Sequence, residues 1–423
     1  MYKLRSIVFA AALMMGLALA QTQVTFWTSA TNPPDVKALK DIVAAFNAAN
    51  PKIVVKLVQV TGSETDAAKL MTAVAGGTGP DVYMLDRFTV AERAAAGLLE
   101  DLNPFGANAL ASNYLPYAWA ETQFNGQTYA LPFDTDARVL YYRKDMLKAA
   151  GVDPNVLDPS KGVPSIKLIQ DIAAKINKTD SSGAYTQLGF IPWFNQGWHY
   201  TWGWAFGGSF YDAKTCKVTP DNPGVVAGFQ FLYDWAKNLD PQKVQTFLST
   251  YAPPNYPPAQ DPFVTGKLAM VVTGDWFLET MKQYAPNVDY GITYIPTPDG
   301  KKTTWAGGWS MVVPKGAKQP AAAWEFLKYI AGAPGQRIYT KESAHLPTWK
   351  ALLNDNSLYD ARHMFFKNLL PSANSRPPLP VGALYWDELT NAMNKVTLNQ
   401  QQPMAALEEA SSRVNAQLQQ FCK

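Results

Sequence analysis

From Val24 the chain alternates in the manner of a half-buried strand, with Val24 and Phe26 pointing one way and Thr25 and Trp27 the other. A loop containing Pro33-Pro34 follows. From Asp35 onward, Leu39, Ile42, Val43 and Phe46 recur at helical spacing until Asn50-Pro51 ends the run. Residues 53–60 are β-rich. Gly62-Ser63 opens a second helix, with Ala67, Leu70, Met71 and Val74 on one face, which stops at Gly76-Gly77. Residues 82–85 read as a short apolar strand, followed by a helix through 91–96. Strand–helix alternation of this kind predicts an α/β fold with a parallel sheet and crossover helices. Ligands of such sheets bind beyond the C-terminal strand ends, and residues 28–32 and Asp86-Arg87 lie at two of them.

The later pattern is less regular. Val139-Leu-Tyr-Tyr142, residues 268–273 and residues 310–314 read as buried strands, and Trp324, Leu327 and Ile330 form the inner face of a helix. The segment Tyr251-Ala-Pro-Pro-Asn-Tyr-Pro-Pro258 is too irregular for an element and reads as an ordered surface loop. A last helix from Pro403 carries Leu407, Val414, Leu418 and Phe421 at helical spacing and brings Cys422 to its end. No internal repeat of fixed period is present.

Composition then bounds the compartment. Two cations precede a short apolar run that ends in Ala18-Leu-Ala20, the form of a secretory signal cleaved after Ala20. No cysteine stands at the cleavage site to take a lipid, so the product is expected in a periplasm. The remaining length of about 400 residues suits two or three domains. Net charge is +3 with dispersed cations, which gives nucleic acid or lipid no basic stripe. Cys216 and Cys422 are the two cysteines, and an oxidising compartment favours a disulfide between them over two free thiols.

Thirteen tryptophans mark the candidate chemistry, many of them beside glycine, proline or acidic residues. Trp193, Trp198, Trp202 and Trp204 cluster in one stretch. Others stand in Gly274-Asp-Trp276, Trp305-Ala-Gly-Gly-Trp309 and Tyr385-Trp-Asp387. An indole covers the apolar C–H face of a sugar while a polar neighbour takes its hydroxyls. Catalytic patterns are lacking. The zinc-hydrolase HExxH is absent, and Gly308-Trp-Ser-Met-Val312 fails the nucleophile elbow at its last position. No metal or organic cofactor is implied.

Four ordered segments stand out: Gly79-Pro-Asp-Val-Tyr-Met-Leu-Asp-Arg-Phe88, Gly126-Gln-Thr-Tyr-Ala-Leu-Pro132, Phe263-Val-Thr-Gly-Lys-Leu-Ala-Met270 with Gly274-Asp-Trp276, and Gly307-Gly-Trp-Ser-Met-Val-Val-Pro-Lys315. In this order they resemble the extracellular solute-binding proteins of ABC-type sugar importers, the group typified by maltose-binding protein. The resemblance implies a two-lobed periplasmic-binding-protein fold of type II, each lobe a mainly parallel sheet flanked by helices, with a hinge and an interlobe cleft. It implies discontinuous lobes: 21–132 with about 314–359, and 133–313 with about 360–423. The implied ligand is a di- or oligosaccharide of the maltose, trehalose or α-glucoside type, the implied partner an ABC permease, and the chain a monomer with no reaction of its own. Asp86 and Asp136 match the family's acidic hydroxyl acceptors, and Trp276 and Trp386 its stacking aromatics. Trp198 and His199 occupy a stretch that holds an acidic and an aromatic contact in the family, with Gln196 or Gly197 where the acid would stand. The remaining candidates are Trp27, Glu64, Arg87, Gly307, Gly308, Trp309 and Arg376. For Arg87 a structural salt bridge, for Glu64 helix capping, and for Gly307-Gly308 a tight turn are equally open readings. A secreted glycosidase using Asp86 and Asp136, or a receptor for a phosphorylated polyol with convergent cations, are the alternatives.

Overall fold

The computed structural model describes residues 21–62 and 68–422. The export segment and Glu64 lie outside these. The first strand, Thr22–Thr28, pairs in parallel with Ile53–Gln59 on one side and Val82–Asp86 on the other. Trp309–Val312 and then Ala130–Pro132 extend this sheet in antiparallel sense. The helix Pro33–Ala49 buries Ala38, Leu39, Ile42, Val43 and Phe46 against the sheet, the stripe that its spacing predicts. Asn47 fastens the helix to the next strand by donating to the Val55 carbonyl at 3.0 Å and accepting from its N–H at 2.8 Å. In the helix Ala68–Ala75, Leu70 and Ala73 are buried, while Met71, about 100° round the helix, is exposed contrary to expectation.

The second sheet runs Tyr290–Thr293, Arg138–Arg143, Leu268–Gly274, Tyr185–Phe190, Lys178–Thr179. Its one parallel pair joins Leu268–Gly274 to Tyr185–Phe190; its other neighbours are antiparallel. Pairing in both sheets is therefore mixed rather than mainly parallel: Trp309–Val312 and Arg138–Arg143 run against both of their neighbours, and Lys178–Thr179 with Tyr185–Phe190 is a local antiparallel pair. Each sheet has its own core. One gathers buried residues from 24–133 and 311–339, the other from 137–295 and 344–418. Each core is thus gathered from separate stretches of the chain, which runs from one core to the other around residues 133–137, 305–309 and 344–359. The strand Trp309–Val312 pairs within the first sheet, with Val82–Asp86 and Ala130–Pro132 as its neighbours. Its alternation fits either lobe; the partner that decides is Val82–Asp86, which sequence periodicity does not name.

The last helix ends at Leu418, and Phe421 is exposed where a continued helix would have buried it. The chain turns there to bring Cys422 to Cys216, and the two are disulfide-bonded with Cα atoms 6.0 Å apart. Asn415 bonds both the N–H and the carbonyl of Val218, at 2.8 and 3.1 Å, and so pins the same hairpin. No described helix is long and apolar enough to cross a membrane.

Candidate functional site

A cavity of about 950 Å³ lies between the lobes. From the first lobe it receives residues just beyond the C-terminal ends of the parallel strands: Ser29 to Asn32, Gly62 and Asp86. The second lobe supplies Arg138 at the start of one strand and Trp276 just after the end of its neighbour, where Arg138 and Gly274 are register partners.

Two carboxylate–guanidinium pairs organise the wall. Arg376 Nη2 donates to Asp86 Oδ1 at 2.7 Å, and the guanidinium lies 3.9 Å over the Phe88 ring. Arg376 Nε is buried with no hydrogen-bond partner. In the second pair, Arg138 Nη1 and the Gly307 N–H both donate to Asp136 Oδ1. Arg138 also sits 3.5 Å over the Trp305 ring and 5.3 Å from that of Trp276, while its Nε donates to Gln196 Oε1 at 3.4 Å. Trp305 is buried and stands 5.1 Å from Arg376 as well, so one indole backs both cations. Four half-buried indoles, Trp198, Trp276, Trp309 and Trp386, complete the lining. Trp198 and Trp386 lie 5.3 Å apart. The Trp276 indole folds back so closely on Gly274 that a Cβ there would lie 2.0 Å from it.

Eight of the expected residues therefore meet at the cavity: Asp86, Asp136, Trp198, Trp276, Gly308, Trp309, Arg376 and Trp386. Three others lie behind it. Arg87 is fully buried, paired with Glu121 and donating to the carbonyls of Asp134 and Gly307, the structural arrangement that its sequence left open. His199 packs edge-on against Trp386 at 4.7 Å. Burial, with Arg376 adding to it, pushes its imidazole down to about 3, so it supports the indole as a neutral ring. Gly307 spends its N–H on Asp136 and its carbonyl on Arg87 and Thr135. Gly308 has φ of 128°, and a Cβ would come 2.4 Å from the Asp134 carbonyl oxygen, so this turn requires glycine. Trp27 is partly exposed on its strand and does not line the cavity. Of the two residues standing for the family's acid, Gln196 faces the cavity, while Gly197 packs on the Pro192 carbonyl.

Arg138 and His345 stand outside the sequence candidates, and Trp305 enters there only as one of the clustered tryptophans. Arg138 hides in an apolar strand, and His345 lies far in sequence from Trp276 and from the carboxylates around it. His345 stacks between Trp276 at 5.3 Å and Tyr339 at 5.2 Å, and its Nδ1 is 3.2 Å from Asp134 Oδ2. Asp35 and Asp275 stand at 3.8 and 4.0 Å. Burial works to discharge the imidazole, but the three carboxylates, Asp134 foremost, outweigh it and hold the pKa up at about 10. The folded state thus holds a proton that an unfolded histidine releases near 6.5. Burial also pushes Asp134 up to about 7, so the pair together holds protons that the unfolded chain releases, and its contribution to stability is lost as pH rises from about 7 through about 10. His345→Gln should flatten stability against pH across that window, measured by urea unfolding at pH 6, 8 and 10. An unchanged slope in the variant would contradict the assignment.

Every cation facing the cavity among the described residues, Arg138, Arg376 and His345, has a carboxylate partner. None is left unpaired for a phosphate.

The comparisons agree with this geometry. Residues 30–337 match the bacterial extracellular solute-binding protein family. CpMnBP1 with mannobiose bound superposes with a TM-score of 0.82 at 25% identity, covering 93% of this chain and 100% of that one. The GacH receptor of Streptomyces glaucescens, solved unliganded and with acarbose, gives 0.76 at 27% identity, covering 94% of this chain and 99% of that one. The maltotriose-binding protein of Pyrococcus abyssi is 24% identical over 382 residues, 88% of this chain and 77% of that protein. With two lobes, a polar and aromatic cavity between them, and a match over most of its length, the chain belongs to the bacterial extracellular solute-binding proteins, which bind solutes for ABC importers and are not enzymes.

Proposed function

We propose that the chain is a periplasmic receptor that takes up a short gluco- or manno-oligosaccharide between its lobes and delivers it to an ABC import permease. One observation carries the reading: four half-buried indoles and two carboxylate–guanidinium pairs line a single interlobe cavity. The indoles suit the C–H faces of pyranose rings, and the ion pairs offer charge-assisted acceptors and donors to hydroxyls. Relatives that carry mannobiose, acarbose or maltotriose support this class of ligand. The mature protein would start at Gln21 and act as a monomer. Its lobes would comprise 21–132 with about 309–343, and about 138–305 with about 360–423, the stretches between them acting as the hinge. Asp86 and Trp309 would contact the sugar from the first lobe, Trp198, Trp276, Arg376 and Trp386 from the second, and Asp136 and Gly308 from the hinge stretches.

The mechanism is a shift of the hinge equilibrium. Sugar contacts made by both lobes at once exist only in the closed form, so the ligand binds that form more tightly and populates it. Calorimetric titration of the mature chain with di- to tetrasaccharides of both series should give micromolar or tighter binding for at least one, with no sugar consumed. Absence of binding throughout the panel would overturn the reading.

A further inference from the structure

The Pro-rich segment that the sequence leaves as a surface loop lines the cavity through Asn255, Tyr256, Pro257 and Pro258. Its place can be followed along the wall. Arg376 adjoins Trp386 and Trp305, Arg138 links Trp305 to Trp276, and Trp276 leads into the helix Phe277–Tyr284. That helix packs against the short 3-10 turn Pro258–Gln260. The loop therefore joins this lining on the Trp276 side, while Trp386 is linked to Trp276 through Arg376, Trp305 and Arg138. Its construction is stiff. Tyr256 donates its hydroxyl to Asp261 Oδ2 at 2.8 Å, and Asp261, itself buried, accepts the Phe263 N–H at 2.8 Å. Asn255 takes the left-handed conformation, φ 62°, that an asparagine tolerates, and prolines on both sides restrict the rest. Tyr256 spends its hydroxyl inside the loop, so the ring presents a fixed surface to the cavity.

We infer that the loop 252–261 is the end wall of the binding cleft and sets the length of oligosaccharide that the protein accepts, with Tyr256 as the stop. This rests on the oligosaccharide reading. A ring held by the indoles can extend toward Trp386 but meets a rigid wall at the loop, where a further unit has to displace Tyr256 and its bond to Asp261. A preformed wall of this kind discriminates by exclusion.

The test is a chain-length profile. The mature wild-type chain is titrated with α-1,4-gluco- and β-1,4-manno-oligosaccharides from disaccharide to heptasaccharide, beside Tyr256→Ala and the double variant Pro257→Gly/Pro258→Gly. The wild type should lose about tenfold or more in affinity past a limiting length. Tyr256→Ala should move that limit by at least one unit, and the double variant, which keeps the Tyr256–Asp261 bond, should soften it. Profiles that coincide in all three proteins, with folding verified by thermal unfolding, would overturn the inference. So would a wild type that binds the longest chains as tightly as the shortest. Failure of the wild type to bind either series would instead remove the oligosaccharide reading on which the inference stands.

Discussion

Arg87→Met is expected to destabilise the protein by about 3–5 kcal/mol, the cost of breaking a buried ion pair from one side. Arg87 is wholly enclosed, and its three acceptors come from three parts of the chain: Glu121 of the first lobe and the carbonyls of Asp134 and Gly307 on two interlobe passages. One guanidinium thus fixes the register of both passages where they leave the first sheet. Its removal leaves the buried Glu121 carboxylate without its cation, and burial already pushes that carboxyl up. Most of the expected cost is this uncompensated charge, so Arg87→Met/Glu121→Leu should recover much of the loss. Urea unfolding of the wild type, both single variants and the double variant gives the cycle. A single variant within about 1 kcal/mol of wild type would contradict the role assigned to Arg87.

Trp386→Ala is expected to raise the Kd for the best-binding oligosaccharide about thirtyfold or more, some 2 kcal/mol, the scale of an aromatic hot spot. The indole is placed by contacts on several sides: Trp198 at 5.3 Å, His199 at 4.7 Å, Phe88 of the first lobe at 5.7 Å and the Arg376 guanidinium at 5.5 Å. Truncation removes a stacking surface and frees Arg376, whose bond to Asp86 aligns an acceptor toward the cavity. Trp386→Phe should retain part of the affinity, since it keeps a smaller ring on the same wall. Unfolding curves separate this from a loss of fold. Affinity unchanged in Trp386→Ala would take the residue out of the site.

Much of this was legible in sequence where local physics decides. The stripe of Pro33–Ala49 and the strand-end position of Asp86 follow from periodicity. Asp81 locks the entry to that strand, its carboxylate accepting the Thr25 N–H at 2.8 Å and the Gln319 N–H at 2.9 Å. Trp324 is buried, as its helical spacing predicts. What escaped depends on distant partners. His345 shows no motif, because Asp35, Asp134 and Asp275 come to it from three separate regions. Arg138 reads as an ordinary strand residue until Asp136 and Trp305 surround it. Trp309–Val312 pairs with Val82–Asp86, a neighbour that its own apolar run does not name. The Pro-rich loop looks like surface because nothing local tells that a cavity lies against it.

The central claim is that one oligosaccharide is held, uncleaved, between the two lobes. A crystal structure of the mature chain with its tightest-binding sugar tests it most directly. The account predicts an intact ligand whose rings lie against Trp386 and Trp276 of the second lobe, with hydroxyls on Asp86 of the first lobe and on Asp136 at the hinge. A sugar bound outside this cavity, contacts confined to one lobe, or hydrolysed product in the site would contradict it.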